Sequence, residues 1–141
     1  AIVYPGGFGS AENLCDYAIE GKNMTVFEDV AQIIKSAHLD KKVQGFICIA
    51  PVMAARIIPG VTVTIGEEGD TANDVRSFGA IHKECSVGDI IWDEKNNVLS
   101  TPAYMLGPSI KDIAIGIKKL CEEVNLKCKE TKKSLAKNEI I

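Results

Sequence analysis

The stretch Gly45-Phe46-Ile47-Cys48-Ile49-Ala50-Pro51, residues 45–51, decides the fold of this chain. An apolar run that begins at Val43 predicts a buried strand, and Cys48 lies where that strand must turn sharply into a helix. A cysteine at such a corner points its sulfur away from the backbone, beside free amide N–H groups. Those amides and the helix dipole favour the thiolate, which is the nucleophilic form of the side chain. The stretch therefore predicts a reactive cysteine at the carboxyl end of a strand, the alternative being a cysteine that packs as a small buried apolar residue.

Short apolar runs alternate with amphipathic stretches along the chain, which is typical of an α/β domain with a parallel sheet. Strands are predicted at residues 1–4, 43–47, 61–65, 80–84, 90–92 and 98–101, with a hairpin turn at residues 93–97. Helices are predicted near residues 11–19, 25–37, 53–57, 71–78 and 109–124. The second helix would bury Val26, Val30, Ile33, Ile34 and Ala37, and Thr71 would cap the fourth. We expect one domain over residues 1–124, followed by a polar, lysine-rich tail over residues 125–141.

The loop Pro5-Gly6-Gly7-Phe8-Gly9 follows the first predicted strand, and its glycines allow backbone amides to face a ligand. In an open, doubly wound sheet, ligands bind at the carboxyl ends of the parallel strands. Because the Gly6-Gly7 loop and Cys48 both lie at such ends, we expect them to converge across one crevice. The loop does not follow the spacing of a dinucleotide-binding fingerprint, and the chain has no Gly-Lys-Ser/Thr phosphate loop.

The composition argues against several classes of function. A net charge of −3 over 141 residues gives no case for nucleic acid binding, and no apolar run approaches the roughly 20 residues that cross a bilayer. The five cysteines are scattered, odd in number and free of Cys-x-x-Cys pairs. This pattern argues against a disulfide framework and a zinc site, and it favours a reducing intracellular compartment. We therefore expect no nucleic acid, membrane or metal partner.

Several short motifs occur in one order along the chain: residues 5–9 with Asn13-Leu14, residues 45–51, residues 64–66, the hairpin at residues 93–98, and Thr101-Pro102-Ala103-Tyr104-Met105. Together they resemble the enhancing-lycopene-biosynthesis (ElbB-like) family, which are glutamine amidotransferase-like proteins of the ThiJ/PfpI superfamily. The resemblance covers residues 1 to about 121. It implies a flavodoxin-like three-layer α/β/α sandwich with a mostly parallel sheet, of the class I glutamine amidotransferase-like type.

The resemblance also implies that the chain is N-terminally incomplete. Proteins of this superfamily usually place an acidic side chain from the amino-terminal portion beside the cysteine, and no residue of this chain can be assigned to that role. Without that portion, we expect an open sheet edge and an uncovered core face, and a functional protein that includes a further segment. A homodimer is plausible for the superfamily.

The resemblance and the strand-end position make Cys48 the predicted nucleophile. The amides of Gly7 and Ile49 are candidates for an oxyanion site, with Gly6 in the same loop. His82, on a strand past the elbow, is a candidate general base, whereas His38 fits an interaction with a helix dipole better. Tyr104 is either a hydrogen-bond donor in the crevice or a packed loop aromatic.

True amidotransferases of the superfamily carry His-x-Glu where this chain has Thr101–Met105, which argues against glutamine hydrolysis. The resemblance instead suggests an enzyme without a cofactor that acts on small reactive carbonyls. It would convert glyoxal to glycolate, as a glyoxalase III does, or act on glycated amines as a deglycase. The alternatives are a redox sensor, a binding module, and an amidotransferase-like protein that has lost its chemistry. We expect a location in the cytoplasm or the mitochondrial matrix.

Overall fold

The computed structural model describes residues 1–107 and 109–139. Within these residues the strands are β1 (Ile2–Tyr4), β2 (Gln44–Ile47), β3 (Thr62–Gly66), β4 (Ile81–Glu84), β5 (Ile91–Asp93) and β6 (Val98–Thr101). The α-helices are α1 (Phe8–Asn13), α2 (Tyr17–Glu20), α3 (Glu28–Leu39), α4 (Pro51–Ile57), α5 (Asp70–Ser77) and α6 (Ile110–Asn138). Short 3-10 turns cover Gly21–Asn23 and Ala103–Met105.

The central sheet has the strand order β1-β2-β6-β5, in which β5 alone runs antiparallel to its neighbour. Strands β3 and β4 form a second, parallel pair. Side chains join this pair to the central sheet, because Thr64 N–H donates to Ser100 Oγ over 3.0 Å and Thr62 N–H donates to Asp93 Oδ2 over 2.7 Å. The predicted mostly parallel sheet and the predicted hairpin at residues 93–97 are confirmed.

Alternation along β2 separates two apolar cores. Phe46 points to the face covered by α3, α4 and α5, and it stacks on Tyr4 with ring centroids 4.5 Å apart. Ile47 points to the opposite face, where α6 contributes Ile113, Leu120 and Val124. Helices on both faces of a mostly parallel sheet make the three-layer α/β/α sandwich that the family resemblance implies.

A glycine sets the distance between α6 and the sheet. A Cβ at Gly45 would lie 3.0 Å from Leu120 Cδ2 and 3.0 Å from Val124 Cγ2, which is tighter than ordinary van der Waals contact. On the other face, the buried Gln44 accepts from Tyr4 Oη over 2.9 Å and donates to the carbonyl of Ile34 over 3.2 Å. The oxygen and the nitrogen of this buried amide each have a hydrogen-bond partner, so the Gln44 side chain joins β2 to β1 and α3.

The predicted helix at residues 11–19 is wrong, because the structure divides this segment into α1 and α2. Between them, Cys15 forms an antiparallel bridge with Val26. The Asp16 carboxylate accepts the Thr25 N–H over 2.5 Å, while the Asp16 N–H donates to the Thr25 carbonyl over 3.1 Å. These long-range bonds replace the helical hydrogen bonds that a local pattern predicts.

Three details of the other helices also differ from expectation. Helix α3 begins at Glu28 rather than residue 25, and Ile33 on its predicted buried face is 51% exposed. Helix α5 begins at Asp70 after Gly69, so Thr71 lies inside the helix and does not cap it. The amphipathic pattern located α3 and α5, but the packing of their neighbours decided which face was buried.

The last helix does not end near residue 124, because α6 continues to Asn138. Lysine, glutamate, leucine and alanine favour helix, and residues 125–138 contain no glycine or proline that would end it. Lys127 Nζ lies 5.5 Å from the centre of the Trp92 ring, which joins this part of α6 to β5. The lysine-rich segment is therefore helical through residue 138, although its side chains are mostly exposed.

Strand β1 lies at an open edge of the central sheet, as expected, and Val3 on it is 37% exposed. A groove of about 480 Å³ runs between this edge and α3, lined by Ile2, Ile33, Ala37 and polar residues. None of the described helices combines the length and the apolarity needed to span a membrane.

Candidate active site at the cysteine elbow

Cys48 occupies the sharp turn between β2 and α4 that the sequence predicts. Its φ is 62°, a left-handed conformation that costs a non-glycine residue about 1–2 kcal/mol. The Cys48 N–H donates to the Thr101 carbonyl over 3.0 Å, and the Ala50 N–H closes the turn onto the Ile47 carbonyl over 3.1 Å. Strand pairing on one side and the start of α4 on the other thus hold the strained residue in place.

The glycine loop after β1 meets this turn directly. A Cβ at Gly6 would lie 2.5 Å from Ile47 O, 2.6 Å from Cys48 Cβ and 3.1 Å from Ile49 N. No side chain fits in that space, so a glycine is required for the loop to approach the elbow. The predicted convergence of the Gly6-Gly7 loop with Cys48 is confirmed.

Cys48 is half-buried and opens onto a pocket of about 350 Å³. The walls are mostly apolar, and the residues that line the pocket are Gly7, Phe8, Ala11, Tyr17, Ala18, Cys48, Ile49, Tyr104 and Met105. No aspartate, glutamate, histidine, lysine or arginine is among these residues. The sulfur is therefore presented to an apolar pocket and is not sealed within the core.

Two backbone amides at this pocket are free to act as donors. Within residues 1–107 and 109–139, neither the Gly7 N–H nor the Ile49 N–H donates to any acceptor. Gly7 has a φ of 96°, and both residues line the pocket beside Cys48. The arrangement leaves donors where a negative charge would develop on a carbonyl oxygen attacked by the sulfur, but the oxyanion role itself stays a prediction.

The structure does not bring His82 to the pocket that contains Cys48. His82 lies on β4 with a fully buried side chain, and its Nε2 accepts the Ile65 N–H over 3.3 Å. Its Nδ1 lies 3.4 Å from Glu68 Oε1. Because Nε2 is the acceptor, Nδ1 carries the proton and donates to Glu68. Both ring nitrogens are thus engaged, one with β3 and the other with the loop that follows it, and the general-base role has no support from the geometry.

The other predicted histidine and tyrosine are also placed. His38 lies in the last turn of α3, as expected, and its Nδ1 is buried without a hydrogen-bond partner among the described residues. Tyr104 lies in the 3-10 turn Ala103–Met105, lines the pocket and is 64% exposed. Of the predicted residues, the structure groups Cys48, Gly6, Gly7, Ile49 and Tyr104 around one site and excludes His82.

The sequence reasoning missed the side of the pocket that α1 and α2 form. Ala11, Tyr17 and Ala18 face Cys48 because the chain breaks between these helices. Tyr17 Oη donates to Asp74 Oδ2 over 2.8 Å, and burial raises the pKa of Tyr17 to about 12. Because the sequence pattern predicts one continuous helix over residues 11–19, it contains no signal for this wall. Phe8, in contrast, stands inside the glycine motif itself.

Among residues 1–107 and 109–139, no cluster of three or more His, Cys, Asp and Glu side chains is arranged to hold a metal ion. The site is therefore defined by its thiol, its two amides and its apolar walls.

A mostly parallel sheet between helical layers, with a cysteine elbow against a glycine loop, defines an amidotransferase-like α/β fold. The crystal structure of an isoprenoid biosynthesis protein with an amidotransferase-like domain from Ehrlichia chaffeensis matches this chain with a TM-score of 0.77 and 26% identity. The match covers 87% of this chain and 57% of that chain.

The sequence is also similar to proteins of the ES1 type. It is 39% identical over 133 residues to the ES1 protein homolog, mitochondrial, of Rattus norvegicus. This match covers 88% of this chain and 50% of the relative. It is 37% identical to the glutamine amidotransferase-like class 1 domain-containing protein 3, mitochondrial, of Homo sapiens, with the same coverage. The ES1 protein, mitochondrial, of Danio rerio is 32% identical over 117 residues, covering 74% of this chain and 43% of the relative.

The chain spans about half the length of the curated relatives it matches. No protein-family model matches it. These similarities support the amidotransferase-like fold, while the narrower ElbB-like family stays a prediction.

Proposed function

We propose that this protein is a cysteine-dependent enzyme that needs no cofactor and converts small reactive α-oxoaldehydes to hydroxy acids. The observation that supports this proposal best is Cys48, held at a φ of 62° and facing a pocket beside two unpartnered amides. A strained cysteine at a strand–helix elbow is positioned for nucleophilic attack on a carbonyl carbon.

The reaction begins when the Cys48 thiolate adds to the aldehyde carbon. The carbonyl π electrons move to oxygen, which the amides of Gly7 and Ile49 stabilise, and protonation gives a hemithioacetal. Each amide contributes about 3 kcal/mol of transition-state stabilisation by comparison with known oxyanion donors. The proton on the former aldehyde carbon, C1, then leaves, and a proton is added to the neighbouring carbonyl carbon, C2. This converts the adduct to a 2-hydroxy thioester. Water hydrolyses the C–S bond, releasing the hydroxy acid and the free thiol.

The proton transfer from C1 to C2 requires a base, and the pocket lining offers no carboxylate or imidazole. Burial raises the pKa of Tyr17 to about 12, so this hydroxyl is a poor proton acceptor near neutral pH. The proton therefore passes to a group outside this lining, such as water or a buffer base. Turnover by this chain should consequently rise with the concentration of a small external base such as imidazole.

Glutamine hydrolysis fits the site poorly, although the human relative has the name glutamine amidotransferase-like. Free glutamine carries an ammonium and a carboxylate, which need charged or strongly polar partners when they bind. In the part of the chain that the structure describes, no charged side chain lines the pocket, and Thr101–Met105 stands where the superfamily has His-x-Glu.

The test measures glycolate formed from glyoxal by the purified protein, using NMR. Cys48→Ala should abolish turnover, since no other group in the pocket can form the thioester. The matched control is Cys121→Ala, which removes an exposed thiol outside the pocket and should leave turnover unchanged. Equal turnover in the two variants would reject the assignment.

A second candidate function is supported by the missing base. A half-buried cysteine that lacks an acid–base partner could act as an oxidation sensor, since thiolates oxidise to sulfenic and sulfinic acids. Mass spectrometry after mild peroxide treatment distinguishes the two functions. Oxidation of Cys48 ahead of the exposed Cys121, without turnover of glyoxal, would favour the sensor.

We also propose a mitochondrial location and a homodimer. The names of all three relatives carry the word mitochondrial, and the open edge of β1 with the adjoining α3 groove offers a surface that a second copy could cover. Fractionation of cells and sedimentation of the purified protein test these two proposals separately.

A further inference from the structure

We infer that the preferred substrate of Cys48 is an uncharged α-oxoaldehyde with a flat, apolar substituent, such as an aryl group. This inference rests on the proposed function, because it names the class of carbonyl that the same site would take. It predicts that glyoxal, which has no substituent, is a poor representative of the true substrate.

The walls of the pocket carry the inference. Two aromatic side chains stand exposed at the pocket, Phe8 at 80% and Tyr104 at 64%. They come from different elements, since Phe8 begins α1 and Tyr104 follows β6. A flat apolar group in contact with these rings would bury surface that water otherwise covers, and aromatic pairs add an attraction of their own.

The size of the pocket points the same way. Its volume of about 350 Å³ lies at the lower end of the range for sites that bind small organic ligands. Glyoxal, with four heavy atoms, would leave most of these walls in contact with water. A substituent the size of a phenyl ring would cover more of these apolar walls while its aldehyde stayed at Cys48.

The charges around the pocket disfavour anionic substituents. Among the described residues no charged side chain lines it, so a carboxylate would enter without a partner. The adjoining cavity, which shares Met105 with this pocket, is lined by Glu67, Glu68 and Asp70. Glu68 is paired with Arg76, so the repulsion of an anion comes from Glu67 and Asp70. The site should therefore discriminate between neutral and carboxylated forms of one aryl substrate.

The same chemistry accounts for an aryl substrate. The Cys48 thiolate adds to the aldehyde carbon of phenylglyoxal, the C1 proton is transferred to C2, and the resulting thioester is hydrolysed. One water is consumed and one mandelate is released, with the thiol regenerated, so that no oxidant or reductant is needed.

The first experiment compares kcat/KM for phenylglyoxal, 4-carboxyphenylglyoxal and glyoxal, with the hydroxy acid as the measured product. We expect phenylglyoxal to exceed each of the others by at least tenfold, a discrimination that apolar contacts commonly supply. Phe8→Ala should lower the ratio of phenylglyoxal to glyoxal at least fivefold. The control is Phe27→Ala, which removes an exposed phenylalanine outside the pocket and should not change the ratio.

The second experiment does not depend on turnover. It follows alkylation of Cys48 by mass spectrometry with N-benzyl chloroacetamide and with chloroacetylglycine, which differ in an aryl and a carboxylate substituent. If the benzyl reagent labels Cys48 faster and Phe8→Ala removes this advantage, the inference is supported, whether or not any substrate turns over. The absence of turnover would reject the proposed function alone. Equal labelling rates, or kcat/KM for glyoxal as high as for phenylglyoxal, would overturn the inference and leave the proposed function standing.

Discussion

Gly6 shows how a single residue decides the geometry of the candidate site. Its position against Ile47 O and Cys48 Cβ leaves no room for a methyl group. Gly9, three residues later, has no atom within 4 Å of its own would-be Cβ and lies inside α1. The two glycines of one motif therefore have different physical roles, and they form a matched pair for mutation.

We expect Gly6→Ala to lower the free energy of unfolding by about 2 kcal/mol, within the range known for overpacked positions. The added methyl must displace backbone on both sides, so alkylation of Cys48 should also change. Gly9→Ala should instead raise stability by roughly 0.5–1 kcal/mol, because alanine favours helix over glycine. Urea denaturation measures both effects. The same destabilisation in both variants would contradict the close approach at Gly6.

A second prediction at the residue scale concerns the backbone of Cys48. Both Cys48→Ala and Cys48→Gly remove the thiol, but only glycine accepts a φ of 62° without strain. After allowance for the greater freedom of glycine in the unfolded chain, we expect Cys48→Gly to be more stable than Cys48→Ala by about 0.5–1 kcal/mol. Thermal unfolding of the two variants tests this order, and the reverse order would mean that the elbow is not strained.

At the scale of elements, α6 extends well beyond the end predicted near residue 124. Its first part packs Ile113, Leu120 and Val124 against the sheet, and its later part contacts β5 through Lys127 and Trp92. Since Trp92 is the single tryptophan of the chain, its fluorescence reports directly on this contact.

We expect Lys127→Met to shift the emission of Trp92 and to lower stability by about 0.5 kcal/mol, as for other exposed cation–π contacts. Lys129→Met is the control, because Lys129 is an exposed residue of the same helix that has no recorded contact with the ring. If Lys127→Met left both the emission and the stability unchanged, α6 would not rest on β5 in solution.

At the scale of the whole molecule, the carboxyl, phenol and thiol groups with shifted pKa values predict how stability depends on pH. The hydrogen bond from Arg76, and then that from His82, lowers the pKa of Glu68. The hydrogen bond from Lys119 likewise lowers the pKa of Asp89. A lowered carboxyl pKa means that the unfolded chain binds the proton more readily, so this contribution is present above about pH 4 and is lost as the pH falls.

At high pH the sign is reversed. Burial raises the pKa of Tyr4 and of Tyr17 to about 12 and that of Cys85 to about 11. The folded protein keeps these protons longer than the unfolded chain, so stability should fall as the pH rises from about 9 towards 12.

The measurement is the urea midpoint as a function of pH. Tyr17→Phe should weaken the alkaline loss and leave the acid loss in place, whereas Lys119→Gln should weaken the acid loss. High salt should reduce the acid effect because both carboxylates lie at the surface. If the urea midpoint did not change between pH 9 and pH 12, the burial of the Tyr4 and Tyr17 hydroxyls and of the Cys85 thiol would be contradicted.

Much of the fold follows from local patterns in the sequence. The run at residues 43–47, the glycine loop and the hairpin at residues 93–97 were predicted because strand propensity and turn chemistry act between neighbours in the chain. The convergence of Gly6 with Cys48 followed from one topological rule about the ends of parallel strands.

Two of the errors involve hydrogen bonds between residues that are not neighbours in the sequence, whereas the added length of α6 follows from local helix propensity. The Asp16 and Thr25 hydrogen bonds divided a predicted helix, and the Ile65 N–H and Glu68 engaged both nitrogens of His82. Neither partner can be found from spacing, since each depends on the register of β3 with β4 or on how two short helices pack.

The sequence by itself determined that a cysteine would stand at the end of the second strand, opposite a glycine loop, because both features are written in consecutive residues. Only the tertiary structure decided what surrounds that cysteine: two exposed rings, apolar walls from α1 and α2, and no histidine. The reason is that a pocket is assembled from side chains that share no local pattern, and packing alone brings them together.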